Sequence, residues 1–137
     1  MRRAEIVREA RAWLGTPFHH QGRVKGAGCD CVGLVVGVAR SFGLTPEDAA
    51  DYGRLPEARR LRAGLAANLG AVAASAAGAG DVLLLRIRHD PQHVAILTGA
   101  ETVVHAYSGI GRVVETRLDE RWRRRVIAAY RFPGVED

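Results

Sequence analysis

Between Ala4 and Leu14 the apolar residues Ile6, Val7, Ala10, Trp13 and Leu14 recur at helical spacing, and Gly15-Thr16-Pro17 breaks the pattern, which predicts one amphipathic helix. The chain from Cys31 to Phe42 is apolar on nearly every side and runs into Gly43, a residue suited to a C-cap, so a buried central helix is expected there. Ala58, Leu61, Leu65 and Leu69 predict a third helix from Glu57 to Leu69. Two stretches carry no periodicity: 15–30, with Gly15, Pro17, Gly22, Gly26 and Gly28, reads as an irregular surface loop, and 44–56 as a crossover loop. Residues 70–80 are almost all Ala and Gly and predict no element. The second half reads as short strands at Val82–Leu85, His93–Thr98, Thr102–Tyr107, Arg112–Arg117 and Val126–Phe132. Helices first and strands second indicate an α+β domain, and the connections between strands are too short for helical crossovers, so the sheet should be mainly antiparallel.

Composition narrows this picture. A chain of 137 residues, 47% apolar and 26% charged, can bury one modest core, which makes residues 1–137 a single domain. The formal charge is +5, and all cations but Lys25 are arginines, so anionic partners are favoured without being specified. The run Arg121-Trp122-Arg123-Arg124-Arg125 lacks any accompanying nucleic-acid motif and reads as a solvated turn or helix face; no nucleic-acid partner is expected. Charges at Arg2, Arg3, Glu5, Arg8 and Glu9 stand where a signal peptide needs an apolar stretch, and no apolar run approaches a membrane span. The expectation is a protein made in the cytoplasm without a cleavable export signal and without a membrane span.

The two cysteines, Cys29 and Cys31, are too close to staple the fold, so their presence points to chemistry. Asp30 is placed to be the N-cap of the central helix and Cys31 its first residue, where the helix N-terminus favours the thiolate. A nucleophilic thiol needs a base. His93 and His105 fall on consecutive strands, and a three-residue turn, at 98–100 or 99–101, gives an even register that puts both on one sheet face with Ala95, Leu97, Val103 and Tyr107. That face is expected to pack on the helix of Cys31, giving a thiol, a base and an orienting imidazole. Zinc is the competing use of these residues, since His19, His20, Cys29 and Cys31 cluster and His89, His93 and His105 lie downstream. The Cys-x-Cys gap is tighter than a usual zinc spacing and no second cysteine pair exists, so neither metal nor other cofactor is expected.

Ala12-Trp13-Leu14-Gly15-Thr16-Pro17-Phe18, Asp30-Cys31-Val32-Gly33-Leu34-Val35, Gly80-Asp81-Val82-Leu83-Leu84, His93-Val94-Ala95-Ile96 and Val104-His105-Ala106 follow one another in an order that resembles the NlpC-type cell-wall peptidases of the papain-like cysteine peptidase superfamily. The resemblance implies a papain-like fold, with Cys31 as nucleophile, His93 as base and His105 as third polar residue. It also implies hydrolysis of amide bonds in peptidoglycan stem peptides, often between D-glutamate and a diamino acid. His20-Gln21 after Gly15-Thr16-Pro17, together with Gly28-Cys29-Asp30-Cys31, is similar to the short branch encoded among tail genes of phages and gene transfer agents, which implies tail or baseplate partners and action in the periplasm or cell wall. Many secreted relatives use a Tyr upstream of the nucleophile at the oxyanion; the nearest equivalent here is His20, beside the backbone N–H of Cys31. Arg23, Arg86 and Arg88 are candidates for binding substrate carboxylates. Tyr52 and Tyr107 are candidates to line the cleft, with surface packing for Tyr52 and core packing for Tyr107 as the plainer roles; Cys29 matches no catalytic position. Two further readings stand beside hydrolysis: a non-catalytic structural tail component of the same fold, and transfer of the acyl group to an amine.

Overall fold

The apolar run after Asp30 folds as expected because both of its ends are capped by its own sequence. In the computed structural model, which describes residues 1–48, 52, 57–87 and 90–137 (the backbone alone at 90 and 91), Asp30 accepts a hydrogen bond from the Gly33 N–H and starts the helix. At the other end Gly43 adopts φ +78°, the N–H of Leu44 reaches the carbonyl of Ala39 and that of Gly43 the carbonyl of Arg40, which closes the last turn. In chain order the elements are α1 (Arg3–Arg11), β1 (Arg23–Val24), β2 (Gly28–Cys29), α2 (Cys31–Ser41), α3 (Ala58–Asn68), β3 (Gly70–Val72), a 3-10 turn (Ala74–Ala76), β4 (Val82–Ile87), β5 (Asp90–Leu97), β6 (Thr102–Tyr107), β7 (Arg112–Arg117), α4 (Glu120–Arg123) and β8 (Val126–Arg131). Six strands form one antiparallel sheet in the order β3-β8-β4-β5-β6-β7.

Two segments are more ordered than their composition suggested. The 15–30 loop carries the small β1–β2 hairpin, and the Ala/Gly stretch supplies the edge strand β3, whose backbone pairs with β8 from Gly70↔Arg131 to Val72↔Ala129. Backbone pairing needs no side-chain pattern, which is why periodicity did not reveal it. The expected crossover at 44–56 lies largely outside the described residues, as do Arg88 and His89.

The sheet is apolar on both faces. On one, Val82, Leu84, Val94, Ile96, Val104, Ala106 and Val113 pack against Ile6, Ala10 and Trp13 and against Cys31, Leu34, Val35 and Val38 of α2. On the other, Leu83, Leu85, Ala95, Leu97 and Val103 meet Leu118, Ala129 and the half-buried Trp122. The strand alternation puts His93 and His105 with the second set. The shared face expected from the turn is therefore present, but it is the face turned away from α2. A three-residue turn at 99–101 sets the register at Ile96↔Val104 and Leu97↔Val103, which makes 93 and 105 diagonal neighbours. Those two pairs are the only ones that join β5 to β6 among the described residues, whereas β6 pairs with β7 along all of its length. The end of the sheet that carries the histidines is thus open between β5 and β6.

Two glycines let α2 come close to its neighbours. A Cβ on Gly33 would stand 1.9 Å from the carbonyl oxygen of Gly22, and one on Gly37 would stand 2.1 Å from the Trp13 ring. Gly64, in the interior of α3, has nothing within 4 Å. Gly37→Ala should lower stability by about 1–3 kcal/mol through overpacking, and Gly64→Ala should raise it by about 0.5–1 kcal/mol through helix propensity. Urea midpoints at constant m-value check both, and equal effects of the two substitutions would contradict the packing described.

Candidate active site

The site is organised by one carboxylate. Oδ1 of Asp30 accepts from the Gly33 N–H at 2.8 Å and from Arg23 at 3.0 Å, while Oδ2 accepts from the Gln21 N–H at 2.8 Å and from the Tyr52 hydroxyl. Gln21 is the one non-glycine described residue with positive φ, +62°, and its strained backbone is held by that N–H bond and by its side-chain amide, which donates to the Tyr52 carbonyl at 2.7 Å. Arg23 also makes a two-point contact with Asp48, at 2.9 and 3.0 Å. Loop, helix start, Asp48 and Tyr52 are thereby tied to each other just before Cys31.

Cys31 opens α2, near the backbone N–H groups of Val94, the residue after His93, and of Val32. These favour the thiolate, as the helix position predicted, but burial outweighs them and the Asp30 charge adds to it, so the Cys31 thiol is pushed up to about 12. The direction is opposite to the lowered pKa expected: burial favours the neutral thiol. Nε2 of His93 lies 2.8 Å from Nδ1 of His105, and Nε2 of His105 lies 3.0 Å from the Thr116 hydroxyl. His93 is 4% and His105 1% exposed. Burial pushes both imidazoles below their ordinary range, the neighbouring His105 lowering His93 further, so both rings are neutral near pH 7. Because the bond to His105 uses Nε2, Nδ1 is the nitrogen of His93 left to take a proton.

The other sequence candidates fall in different places. Half-buried His20 packs its ring edge-on against Tyr52, centroids 5.6 Å apart. Tyr52, given surface packing as its plainer role, is instead buried, bonded to Asp30, and its phenol is pushed up by burial and by that bond. Tyr107, given core packing, is half-buried beside His93 and Trp122, at 5.7 and 5.6 Å between ring centroids. Arg23 has its donors engaged by Asp30, Asp48 and the Gly22 carbonyl, so in this structure it braces the cap. Arg86 donates to the Arg124 carbonyl. Cys29 is fully buried, and burial, followed by the charges of Asp30 and Cys31, pushes its thiol up to about 12. In the basic run Arg121, Arg123 and Arg124 are exposed, but Trp122 turns inward, edge-on to His105 at 5.5 Å with Arg125 over its ring at 4.9 Å. Among the described residues no three His, Cys, Asp or Glu side chains converge as a metal site requires, and no helix is long and apolar enough to cross a membrane. A cavity of about 540 Å³ between α2 and α3 is lined by Val35, Ala39, Leu61 and Leu65, and it approaches the chemistry only at Val32, Tyr52 and Val94. Thr116, Gln21 and Asp48 were missed; for Thr116 the signal was available, since the β6–β7 register sets it diagonal to His105.

The NlpC/P60 family model matches residues 15–131, which include Asp30, Cys31, His93 and His105. The chain belongs to the NlpC/P60 family. The NlpC/p60 domain of the peptidoglycan hydrolase SagA is 25% identical, with a TM-score of 0.68 over 93% of this chain and 97% of that one. The peptidoglycan hydrolase RipB of Mycobacterium tuberculosis is 21% identical, with a TM-score of 0.65 over 94% of this chain and 64% of that one. An NLP/P60 family protein similar to a lipoprotein, from Staphylococcus aureus, is 20% identical with a TM-score of 0.69 over 98% of this chain, which spans 42% of its length. No curated protein matches the sequence. The α+β arrangement with the cysteine on a buried helix is the papain-like fold of NlpC/P60 domains.

A neutral resting thiol has a kinetic signature. In a Cys29→Ala background, alkylation of Cys31 by iodoacetamide should keep accelerating above pH 9; a plateau below pH 7 would show a preformed ion pair instead. The buried histidines have a thermodynamic one. Their folded pKa values lie below the ordinary value of about 6.5, so the unfolded chain binds more protons as pH falls through that value, and stability is highest above it and declines on acidification. Urea midpoints should drop between pH 7.5 and 5.5, and the double variant His93→Gln, His105→Gln should show a flatter dependence over the same interval.

Proposed function

We propose that this NlpC/P60 domain is a cysteine peptidase that hydrolyses amide bonds in peptidoglycan stem peptides. The observation that carries the reading is the 2.8 Å bond between His93 and His105, on a strand whose next residue, Val94, packs in the same cluster as Cys31 at the start of α2. The thiol passes its proton to Nδ1 of His93, and the sulfur attacks the carbonyl carbon. His105 orients the His93 ring. The tetrahedral intermediate expels the amine, which takes the proton back from His93, and water then cleaves the thioester to release the acid and restore the thiol. The backbone N–H of Cys31 and the His20 ring are the oxyanion donors in this scheme.

The substrate class is supported by the likeness to SagA, which is named a peptidoglycan hydrolase and which this chain matches over nearly all of its length. The D-glutamyl–diamino acid bond, and delivery to the wall by a phage-type or gene-transfer-agent tail, rest on the sequence resemblance of His20-Gln21 and Gly28-Cys29-Asp30-Cys31. Tail or baseplate proteins are the partners that this reading implies.

Release of new amino groups from purified peptidoglycan tests nucleophile and reaction together. Wild type and Cys29→Ala should be active, and Cys31→Ala and His93→Ala should fall by about 10³-fold or more. Products that incorporate an added primary amine would convert the reading from hydrolysis to acyl transfer. Inactivity of the folded wild type would leave a structural tail component as the reading.

A further inference from the structure

The hydrogen-bond chain that starts at His93 continues past His105. Nε2 of His105 is 3.0 Å from Oγ1 of Thr116 on β7, where the pairing Val103↔Thr116 puts the hydroxyl diagonal to His105 on the same sheet face. Trp122 covers the His105 ring edge-on, and His105 is 1% exposed, so a ring N–H that loses its partner there is left inside the protein.

A neutral imidazole carries one ring proton, so this chain has two possible orders. In the first, Nε2–H of His93 donates to Nδ1 of His105, Nε2–H of His105 donates to Thr116, and Nδ1 of His93 is a free lone pair. In the second, the Thr116 hydroxyl donates to Nε2 of His105, Nδ1–H of His105 donates to Nε2 of His93, and Nδ1 of His93 already bears a proton and is no base. The first order survives proton uptake unchanged, because a protonated His93 still donates from Nε2 to His105. It has one requirement, an acceptor facing Nε2–H of His105, and Thr116 is the residue at that position. Without the hydroxyl the Nε2–H of His105 would be orphaned, whereas the second order leaves a lone pair there and, in the proposed site, turns Nδ1–H of His93 toward the sulfur, which makes it the cheaper one.

We propose that Thr116 is a positioning residue that acts through His105, accepting from its Nε2–H and so keeping Nδ1 of His93 unprotonated to receive the Cys31 proton. This rests on the cysteine peptidase reading for its consequence in catalysis, while the order of the protons can be observed without any turnover.

The test compares wild type, Thr116→Val, which keeps the shape and removes the hydroxyl, and Thr116→Ser, which keeps the hydroxyl. Long-range ¹⁵N–¹H spectra of the histidine rings at pH 7.5 should show Nε2–H at both His93 and His105 in wild type and in Thr116→Ser. In Thr116→Val both rings should change to Nδ1–H. On peptidoglycan, Thr116→Val should lose about 10–100-fold in kcat with KM within about twofold, and Thr116→Ser should recover most of it. Nδ1–H at His93 in wild type, or unchanged ring protons in Thr116→Val, would overturn the proposal. If Thr116→Val does not fold, the wild-type spectrum alone decides between the two orders. Expected ring protons in a wild type that releases no amino groups would keep the assignment of Thr116 and remove the peptidase reading instead.

Discussion

The carboxylate of Asp30 is the point on which the rest of the site hangs. Both oxygens are doubly used, by two backbone N–H groups, a guanidinium and a phenol, in a side chain that is 4% exposed. A buried charge persists when every lone pair is satisfied and a counter-charge is close, and Arg23 together with the N-terminus of α2 supplies that here. The four donors come from three pieces of the chain: Gln21 and Arg23 from the glycine-rich loop, Gly33 from the helix, and Tyr52 from beyond it. The position of Cys31 is therefore set by its neighbour in sequence rather than by anything the thiol itself contacts. The arrangement has a cost in reactivity, because the same negative charge that fixes the helix start adds to burial in holding the thiol protonated.

What was legible in the chain was local. Strands β6 and β7 have the limits that alternation predicted, Thr102–Tyr107 and Arg112–Arg117, and the three-residue turn gave the parity that puts His93 and His105 on one face. Which face met α2 was not legible, because both rows are apolar: Val94 and Ile96 on one side, Ala95 and Leu97 on the other. Nothing in the pattern of β5 distinguishes the row that packs on a helix from the row that packs on Leu118 and Trp122. Tyr52 was misread for a different reason. Its burial comes from a bond to Asp30, 22 residues earlier, and a lone aromatic in a proline-containing stretch carries no sign of so distant a partner. The edge strand at Gly70–Val72 was invisible because β8 supplies its ladder through backbone atoms alone.

With the histidines behind the sheet and the sulfur in front of it, the proposed mechanism requires the opening between β5 and β6. Two fully paired strands would seal a thiol on one face from a ring on the other. Here β5 pairs with β6 only from Ile96 onward, and the Val94 backbone, before that point, lies near the Cys31 thiol. The 2.8 Å contact of the two imidazoles then joins the strands at that level through side chains where the backbone does not. His105 thus has a structural task beside the chemical one proposed for it, and this accounts for a buried polar ring among Val103, Val104 and Ala106, where an apolar residue would pack at less cost.

Burial drives thiol and imidazole toward the same uncharged state from opposite directions, raising Cys31 and lowering His93. In the proposed mechanism such a site starts from no ion pair. It depends on having its proton acceptor in the right tautomer when a substrate carbonyl arrives, because a neutral ring that presents N–H to a neutral thiol can do nothing. An ionised pair sets its own protons by electrostatics; a neutral one needs an external reference that fixes which nitrogen is bare. The second imidazole cannot be that reference alone, since two neutral rings in sequence are stable in either direction. The order that leaves Nδ1 of His93 bare needs an acceptor at the end of the chain remote from the thiol, and the hydroxyl of Thr116 stands there.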